Sequence, residues 1–107
     1  MSVTTVFSLG GSIIAPEGVD TAFLSDFVSL IRGRIHARGD RFIIVTGGGS
    51  PARVYQAAYR AIVDTPDDAE QDWIGITATR LNARLVKALF AEDCKDEVVW
   101  DPTANFS

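Results

Sequence analysis

The stretch "IIVTGGGSPARVYQ", Ile43 to Gln56, is the part of the sequence that best predicts the fold of this chain. A run of β-favouring residues leads into three glycines, and a helical pattern follows them. Ligands of open α/β sheets bind at the carboxyl ends of the strands, which is where Gly47, Gly48 and Gly49 are predicted to lie. Because glycine has no side chain, the backbone there can approach a ligand closely and turn its N–H groups toward an anion.

The residues after the glycines predict the start of a helix. Ser50 suits the N-cap position and Pro51 suits the first helical position. The positive end of the helix dipole would then point at the glycine loop. Arg53 falls in the predicted first turn, where a cation opposes the dipole unless an anion is bound nearby. The pattern favours a phosphate site over the alternative, a tight turn with Arg53 paired to a surface carboxylate.

Length and composition indicate one small domain spanning residues 1–107. The chain is 47% hydrophobic and 22% charged, as in a globular protein, and its net charge is −4. The absence of a basic run argues against a nucleic-acid surface. The single cysteine, Cys94, excludes an internal disulfide and fits a reducing compartment. We see no apolar run of membrane-spanning length and no signal-peptide pattern, so a cytoplasmic location is the default expectation.

Strand and helix patterns alternate along the chain. Strands are predicted at "VTTVFSL" (Val3 to Leu9), at "RFIIVT" (Arg41 to Thr46) and at "EVVWDP" (Glu97 to Pro102). The second is a continuous apolar run, typical of a strand buried on both faces. This alternation predicts an α/β fold in which a parallel sheet lies between helical layers.

Three longer segments have helical periodicity. The first starts near Thr21 and ends at Gly39, and the second follows the glycine loop until "TPDD" breaks it. The third runs from Glu70 to Phe90. Its predicted apolar stripe consists of Ile74, Ala78, Leu81, Leu85 and Leu89. Arg80 and Asn82 are interpreted as surface or interface residues of that helix, and His36 is given no catalytic role.

A second glycine loop follows the first predicted strand. "SLGGS" places Gly10, Gly11 and Ser12 at another strand–loop junction. Because parallel strands end at the same edge of a sheet, both loops are expected to open on one side. Two such loops suit a run of phosphates better than a single isolated anion.

A dinucleotide-binding fingerprint is the main rival interpretation. Gly47-x-Gly49-x-x-Ala52 fits the pattern G-x-G-x-x-A. It follows the second strand, however, and the acidic candidates Asp67 and Asp68 lie in a break between two helices. The Walker A pattern does not occur, since no Gly-Lys-Ser/Thr is present.

Three blocks of the chain resemble a known family. "VFSLGGSII", "IIVTGGGSPARVY" and "QDWIGITATRLNARLV" are similar in order and spacing to the N-terminal half of archaeal-type uridylate (UMP) kinases, within the amino acid kinase superfamily. The resemblance covers essentially the whole chain. It implies a three-layer α/β/α sandwich with a mainly parallel sheet, of which this chain would supply the N-terminal half.

The resemblance also implies an activity and its site. The activity is phosphoryl transfer from ATP, with Mg²⁺ held mainly by the ATP phosphates, to UMP. Gly10, Gly11 and Ser12 would contact the ATP phosphates, and Gly49 the transferring phosphate. Gly48 and Asp72 would bind UMP, the latter through the ribose. Arg53 would be the catalytic cation between the two nucleotides, and no protein metal site is implied.

Two departures from the family pattern are visible. Ser8 stands where many members have lysine, and the family fold is about twice this length. We therefore expect the 107-residue chain to be catalytically inactive, or nearly so. An open sheet edge and uncovered helical stripes would also leave apolar surface exposed, so we expect the chain to form homo-oligomers. The alternatives are an amino acid kinase relative with another acceptor, a non-catalytic phosphate-binding or assembly half-domain, and a dinucleotide-dependent oxidoreductase fragment.

Overall fold

The structure, a computed structural model, describes residues 3–94, so the predicted strand from Glu97 to Pro102 lies outside the described residues. The elements in chain order are β1 (Thr4–Leu9), α1 (Gly11–Ile14), α2 (Thr21–Arg38), β2 (Arg41–Thr46), α3 (Gly49–Ile62) and α4 (Asp68–Phe90), followed by a 3₁₀ turn at Ala91–Asp93. The predicted alternation of strands and helices is confirmed for these residues.

Strands β1 and β2 pair in parallel. Their register runs from Thr4 opposite Arg41 to Leu9 opposite Thr46. Because both strands run the same way and end level with each other, the loops that follow them leave the same edge of the sheet. The mixed α/β character and the parallel sheet confirm the predicted fold class.

The core lies between one face of the sheet and the helices α2 and α4. Phe7 is its aromatic centre: its ring stacks on Phe42 with centroids 5.7 Å apart and meets Phe27 of α2 edge-on at 5.8 Å. Phe27 in turn contacts Phe90 of α4 edge-on, at 6.5 Å. Such aromatic pairs add to the free energy gained by burying apolar area. The buried part of this cluster is Leu9, Ile14, Ala15, Leu24, Val28, Ile31, Val86 and Phe90.

The opposite face of the sheet is open among the described residues. Val6 is 63% exposed and Val45 is 43% exposed. The expectation that "RFIIVT" is buried on both faces is therefore wrong for residues 3–94. The physical reason is that α2 and α4 pack on the face that carries Phe7 and Phe42, and side chains alternate between the two faces.

The ends of α2 are fixed by local chemistry. Asp20 caps the N-terminus, and its carboxylate accepts a hydrogen bond from the Phe23 backbone N–H at 3.0 Å. Gly39 ends the helix in the left-handed conformation, with φ of 70°. The next residue, Asp40, is buried and accepts the Val3 N–H at 3.1 Å, which joins the starts of the two strands.

Helix α4 buries a different stripe from the predicted one. Its buried residues are Ala78, Asn82, Val86 and Phe90, spaced four residues apart. Leu81 is 64% exposed and Leu89 is 37% exposed. Because Phe90 and Val86 pack into the core, the buried line lies one position further along the chain and includes the polar residue Asn82.

A charged cluster ties the 3₁₀ turn to α2. Arg32 Nε donates to Asp93 Oδ2 at 2.7 Å, and His36 Nε2 lies 3.1 Å from the same oxygen. Partial burial on its own raises the pKa of Asp93, but the hydrogen bonds to His36 and Arg32 lower it, and the net pKa lies below the ordinary value of 3.8. The cluster connects elements that are distant in sequence. Within residues 3–94, no helix combines the length and apolar character that crossing a bilayer demands.

Candidate functional site

The two glycine loops touch each other through their backbones. A Cβ added to Gly11 would lie 2.6 Å from the carbonyl carbon of Gly47 and 2.7 Å from that of Gly48. A Cβ added to Gly49 would collide with the backbone of Gly11, and Gly49 has a φ of 64°, which side chains disfavour. The loops can therefore abut only because glycine occupies both sides of the contact. The sequence predicted that they share an edge, and the structure brings them into contact.

Arg53 bridges the loops on the exposed side. Its Nη1 donates to Ser12 Oγ at 3.2 Å, and its Nη2 donates to the Pro16 carbonyl oxygen at 3.4 Å. These are long, solvent-exposed hydrogen bonds, which contribute little to stability by themselves. The guanidinium is thus placed over the junction of the two loops with donors to spare, as a site for an anion requires.

The start of α3 differs in detail from the prediction. The helix begins at Gly49 with Gly48 as its N-cap, and no side chain caps it. The proposed N-cap role of Ser50 is wrong, because Ser50 lies inside the helix that begins at Gly49. Its backbone N–H donates to the Ala15 carbonyl at 2.9 Å. That bond is a further link between the two loop regions. Since α3 begins at Gly49, Arg53 is its fifth residue and lies just beyond the first turn.

Asn82 of α4 hydrogen-bonds to the backbone of the second glycine loop. Its side chain is only 2% exposed, and Nδ2 donates to the carbonyl oxygens of Gly47 at 2.8 Å and of Gly48 at 3.0 Å. Of the two interpretations of Asn82, surface or interface residue, the surface one is wrong, because the side chain is buried between α4 and the loop. Its position in the four-residue spacing with Ala78 and Val86 was the available signal, because a polar residue in a buried stripe needs a partner.

Helix α4 also approaches the loop with small residues. A Cβ on Gly48 would lie 3.4 Å from the Gly75 carbonyl oxygen and 3.4 Å from Thr79 Oγ1. Thr46 Oγ1, at the end of β2, donates to the Thr79 carbonyl oxygen at 3.4 Å. Gln56 of α3 joins the two helices, donating to the Gln71 carbonyl at 2.9 Å. The loop is thus held between β2, α3 and α4.

An open groove beside β2 is lined by several of the predicted site residues. Gly48, Gly49, Arg53 and Asp72 all line it, together with Thr79 and Arg80 of α4. Asp72 is exposed and lies in the N-terminal part of α4, so its carboxylate is available to a ligand. Gly10, Gly11 and Ser12 do not line the groove; they adjoin it through the Gly11–Gly49 contact and the Arg53–Ser12 hydrogen bond. The space around Gly10 is open, since an added Cβ there would meet nothing within 4 Å.

The described side chains offer anion-binding groups rather than metal ligands. Among residues 3–94, no group of three His, Cys, Asp or Glu side chains could hold a metal ion. The groups that converge are backbone N–H groups at the start of α3, a hydroxyl on Ser12 and the Arg53 guanidinium. Such a set binds phosphate through hydrogen bonds and charge.

The geometry defines one edge of a parallel sheet at which two glycine loops meet beside an exposed arginine. The sequence model of the amino acid kinase family matches residues 3–106, which is nearly the whole chain. The chain therefore belongs to the amino acid kinase family.

Several curated relatives are similar to most of the chain, and each is called a uridylate kinase. The protein from Methanosarcina acetivorans is 38% identical over 93 residues, covering 87% of this chain and 38% of the relative. That from Methanospirillum hungatei is 41% identical over 83 residues, covering 78% and 33%. That from Thermococcus gammatolerans is 35% identical over 97 residues, covering 90% and 41%. The chain thus spans well under half the length of these relatives.

Proposed function

We propose that this chain supplies the phosphate-binding half of an enzyme that transfers the γ-phosphoryl group of ATP to UMP, giving ADP and UDP. The observation that carries the proposal is the contact between the two glycine loops, with Arg53 placed across it. Each of the two neighbouring loops is suited to bind phosphate. Together they could bind two nucleotides with their phosphates next to each other, as phosphoryl transfer requires. The names of the relatives supply the acceptor, UMP.

Each predicted residue has a role that its position allows. Gly10, Gly11 and Ser12 of the first loop contact the ATP phosphates. Gly49, at the junction of the loops, faces the phosphoryl group in transfer, and Gly48 contacts UMP. Asp72 lies further along the same groove, where its carboxylate can accept hydrogen bonds from the UMP ribose.

The chemistry needs positioning and charge neutralisation rather than a covalent intermediate. A UMP phosphate oxygen forms the new bond to the γ-phosphorus, while the bond from that phosphorus to the ADP oxygen breaks. Arg53 remains protonated throughout and stabilises charge on the transferring group. The backbone N–H groups at the start of α3 do the same without any reorganisation of the loop.

Mg²⁺ enters with ATP in this proposal. The metal supplies neutralisation of the triphosphate charge and fixes its conformation. The anion-binding character of the loops fits a triphosphate, and no cluster of metal-ligating side chains lies among residues 3–94. The ATP phosphates themselves would hold most of the Mg²⁺ coordination.

Self-association is part of the proposal. The open sheet face with Val6 and Val45 exposes apolar area next to a strand edge, and such surfaces favour contact with another chain. We propose that the protein forms a homo-oligomer. We also propose that it is located in the cytoplasm and that its ligands are the nucleotides ATP and UMP. Sedimentation velocity of the purified chain tests the association, and a monomer over a wide concentration range would contradict it.

The dinucleotide alternative loses support from the position of its acidic partner. Asp67 is the N-cap of α4 and accepts the Ala69 N–H at 2.8 Å, so it does not follow a strand. A ribose-binding carboxylate of that fingerprint belongs at a strand end.

Turnover is best measured in a chimera in which this chain replaces the matching segment of the Methanosarcina acetivorans relative. A coupled assay for ADP release would compare UMP, CMP and N-acetylglutamate as acceptors. We expect release with UMP to exceed that with the other two. Release with N-acetylglutamate alone would assign the chain to an amino acid kinase with another acceptor. No release with any acceptor, by a chimera that folds, would support the non-catalytic alternative.

A further inference from the structure

Asn82 makes a pair of contacts that no catalytic role explains. It is buried, it lies beneath the second glycine loop, and it donates to two consecutive carbonyl oxygens, those of Gly47 and Gly48. On the basis of the proposed function, we propose that Asn82 is a positioning residue that aims the backbone N–H groups of Gly48 and Gly49 at the bound phosphate. Asn82 acts through the loop and does not touch the ligand.

The geometry of the peptide unit determines the direction in which the Gly48 and Gly49 N–H groups point. In a trans peptide, the C=O of one residue and the N–H of the next point in opposite directions. When the Gly47 carbonyl points down at Asn82, the N–H of Gly48 points away from it. The Gly48 carbonyl likewise fixes the N–H of Gly49. Two hydrogen bonds from one amide group therefore orient two donors, both on the side of the loop away from α4.

The two oriented donors are not needed by helix α3. Gly48 is the N-cap and Gly49 the first helical residue, and the first N–H groups of a helix have no partner within it. Among residues 3–94 neither N–H donates a tertiary backbone hydrogen bond, and the Gly49 nitrogen lies at the junction of the two loops, close to Gly11. Without the hold of Asn82, glycine residues could rotate these peptide units at little cost.

The helix holds Asn82 firmly enough for this task. Ala78 and Val86, one turn before and one turn after it, are buried on the same stripe. The side-chain NH₂ has two hydrogens, and the two carbonyl contacts use both. A buried amide is costly unless its hydrogen bonds are made, so the two contacts stabilise one orientation of the loop.

The test compares two variants of the 107-residue chain by ¹H–¹⁵N NMR. Asn82→Ala removes both donors, and Val86→Ala, one turn away, is the control for general loss of packing. In wild type, added inorganic phosphate or UMP should shift the Gly48 and Gly49 amide signals. In Asn82→Ala, we expect those signals to move in the absence of ligand and the dissociation constant for UMP to rise about tenfold. In Val86→Ala, the melting temperature should fall while the two glycine signals and the affinity stay close to wild type.

Asn82→Leu keeps the approximate size of the side chain and removes its N–H donors without burying a charge beside two carbonyl oxygens, and it serves if Asn82→Ala does not fold. We expect it to displace the same two glycine signals. Unmoved Gly48 and Gly49 signals in a folded Asn82 variant would overturn the positioning role, as would equal displacement in Val86→Ala. Failure of wild type to bind UMP or phosphate would instead contradict the proposed function, and the ligand-free glycine signals would still decide whether Asn82 orients the loop.

Discussion

Arg53 Nη1 and Ser12 Oγ lie 3.2 Å apart and join the helix after β2 to the loop after β1, 41 residues earlier in the chain. The bond is exposed, so its value to folding is small. Its value to function would be large, because it places a permanent cation where the phosphates of two nucleotides would meet. The two loops and this cation form a unit whose parts can be replaced one at a time.

Replacement of Arg53 should impair turnover and leave folding intact. In the chimera that carries this chain, Arg53→Ala is expected to lower the ADP-release rate about 10²-fold, because a charged donor to the transition state is lost. Arg53→Lys should recover only part of the rate, since lysine lacks the planar fork of donors. Arg60→Ala is the matched control: Arg60 is an exposed arginine of the same helix, and its Nη1 donates to Gln71 Oε1 at 2.9 Å. An unchanged ADP-release rate in Arg53→Ala would show that Arg53 is a surface residue with no part in phosphoryl transfer.

The glycine contact between the loops should be intolerant of a methyl group. Gly11→Ala is expected to destabilise the fold by about 1–3 kcal/mol, since its Cβ would meet the backbone of Gly47 and Gly48. Gly10→Ala, where the Cβ would meet nothing within 4 Å, is the control and should cost much less. Urea unfolding of both variants measures the difference. Equal stability of the two would mean that the loops do not touch as described.

Replacement of Asp72 should weaken the binding of UMP and leave the binding of ATP nearly unchanged. As an exposed carboxylate on the groove beside Gly48, it is expected to bind the UMP ribose. Asp72→Ala should therefore raise the dissociation constant for UMP while that for ATP stays within about twofold of wild type. Asp68→Ala, one turn earlier in α4, is the control for charge near the helix start. Parallel losses for UMP and ATP would indicate a structural role at the N-terminus of α4.

The sequence predicted the fold well wherever local chemistry determines structure. The two strands, the stop at Gly39 and both glycine loops follow from β-favouring runs and from glycine positions, and all were confirmed. Ser50 was misjudged because α3 begins one residue earlier, at Gly49, and Gly48 takes the N-cap position. Leu81 was assigned to the core because it is apolar, whereas Val86 and Phe90 determine which side of α4 is buried. Asn82 was missed because its partners are backbone atoms about 35 residues away in the chain.

The Asp93 cluster should make stability depend on pH at the acid end. Its folded-state pKa is depressed below 3.8, so its contribution is present above the unfolded pKa and is lost as pH falls through the folded pKa. The difference in free energy of unfolding between wild type and Asp93→Asn should therefore favour wild type at pH 7 and shrink as pH falls below 3.8. High salt should also reduce it, because the cluster is partly exposed. A difference that grows on acidification would contradict this assignment.

We propose that the two glycine loops, which are in contact, receive two different nucleotides. An NMR titration of the 107-residue chain, with UMP and a non-hydrolysable ATP analogue added separately and then together, tests it most directly. We predict that UMP shifts the Gly48 and Gly49 amide signals, that the ATP analogue shifts those of Gly10, Gly11 and Ser12, and that each ligand shifts the Arg53 side-chain signal. Shifts at both loops caused by NADH, with none caused by UMP or the ATP analogue, would contradict the account.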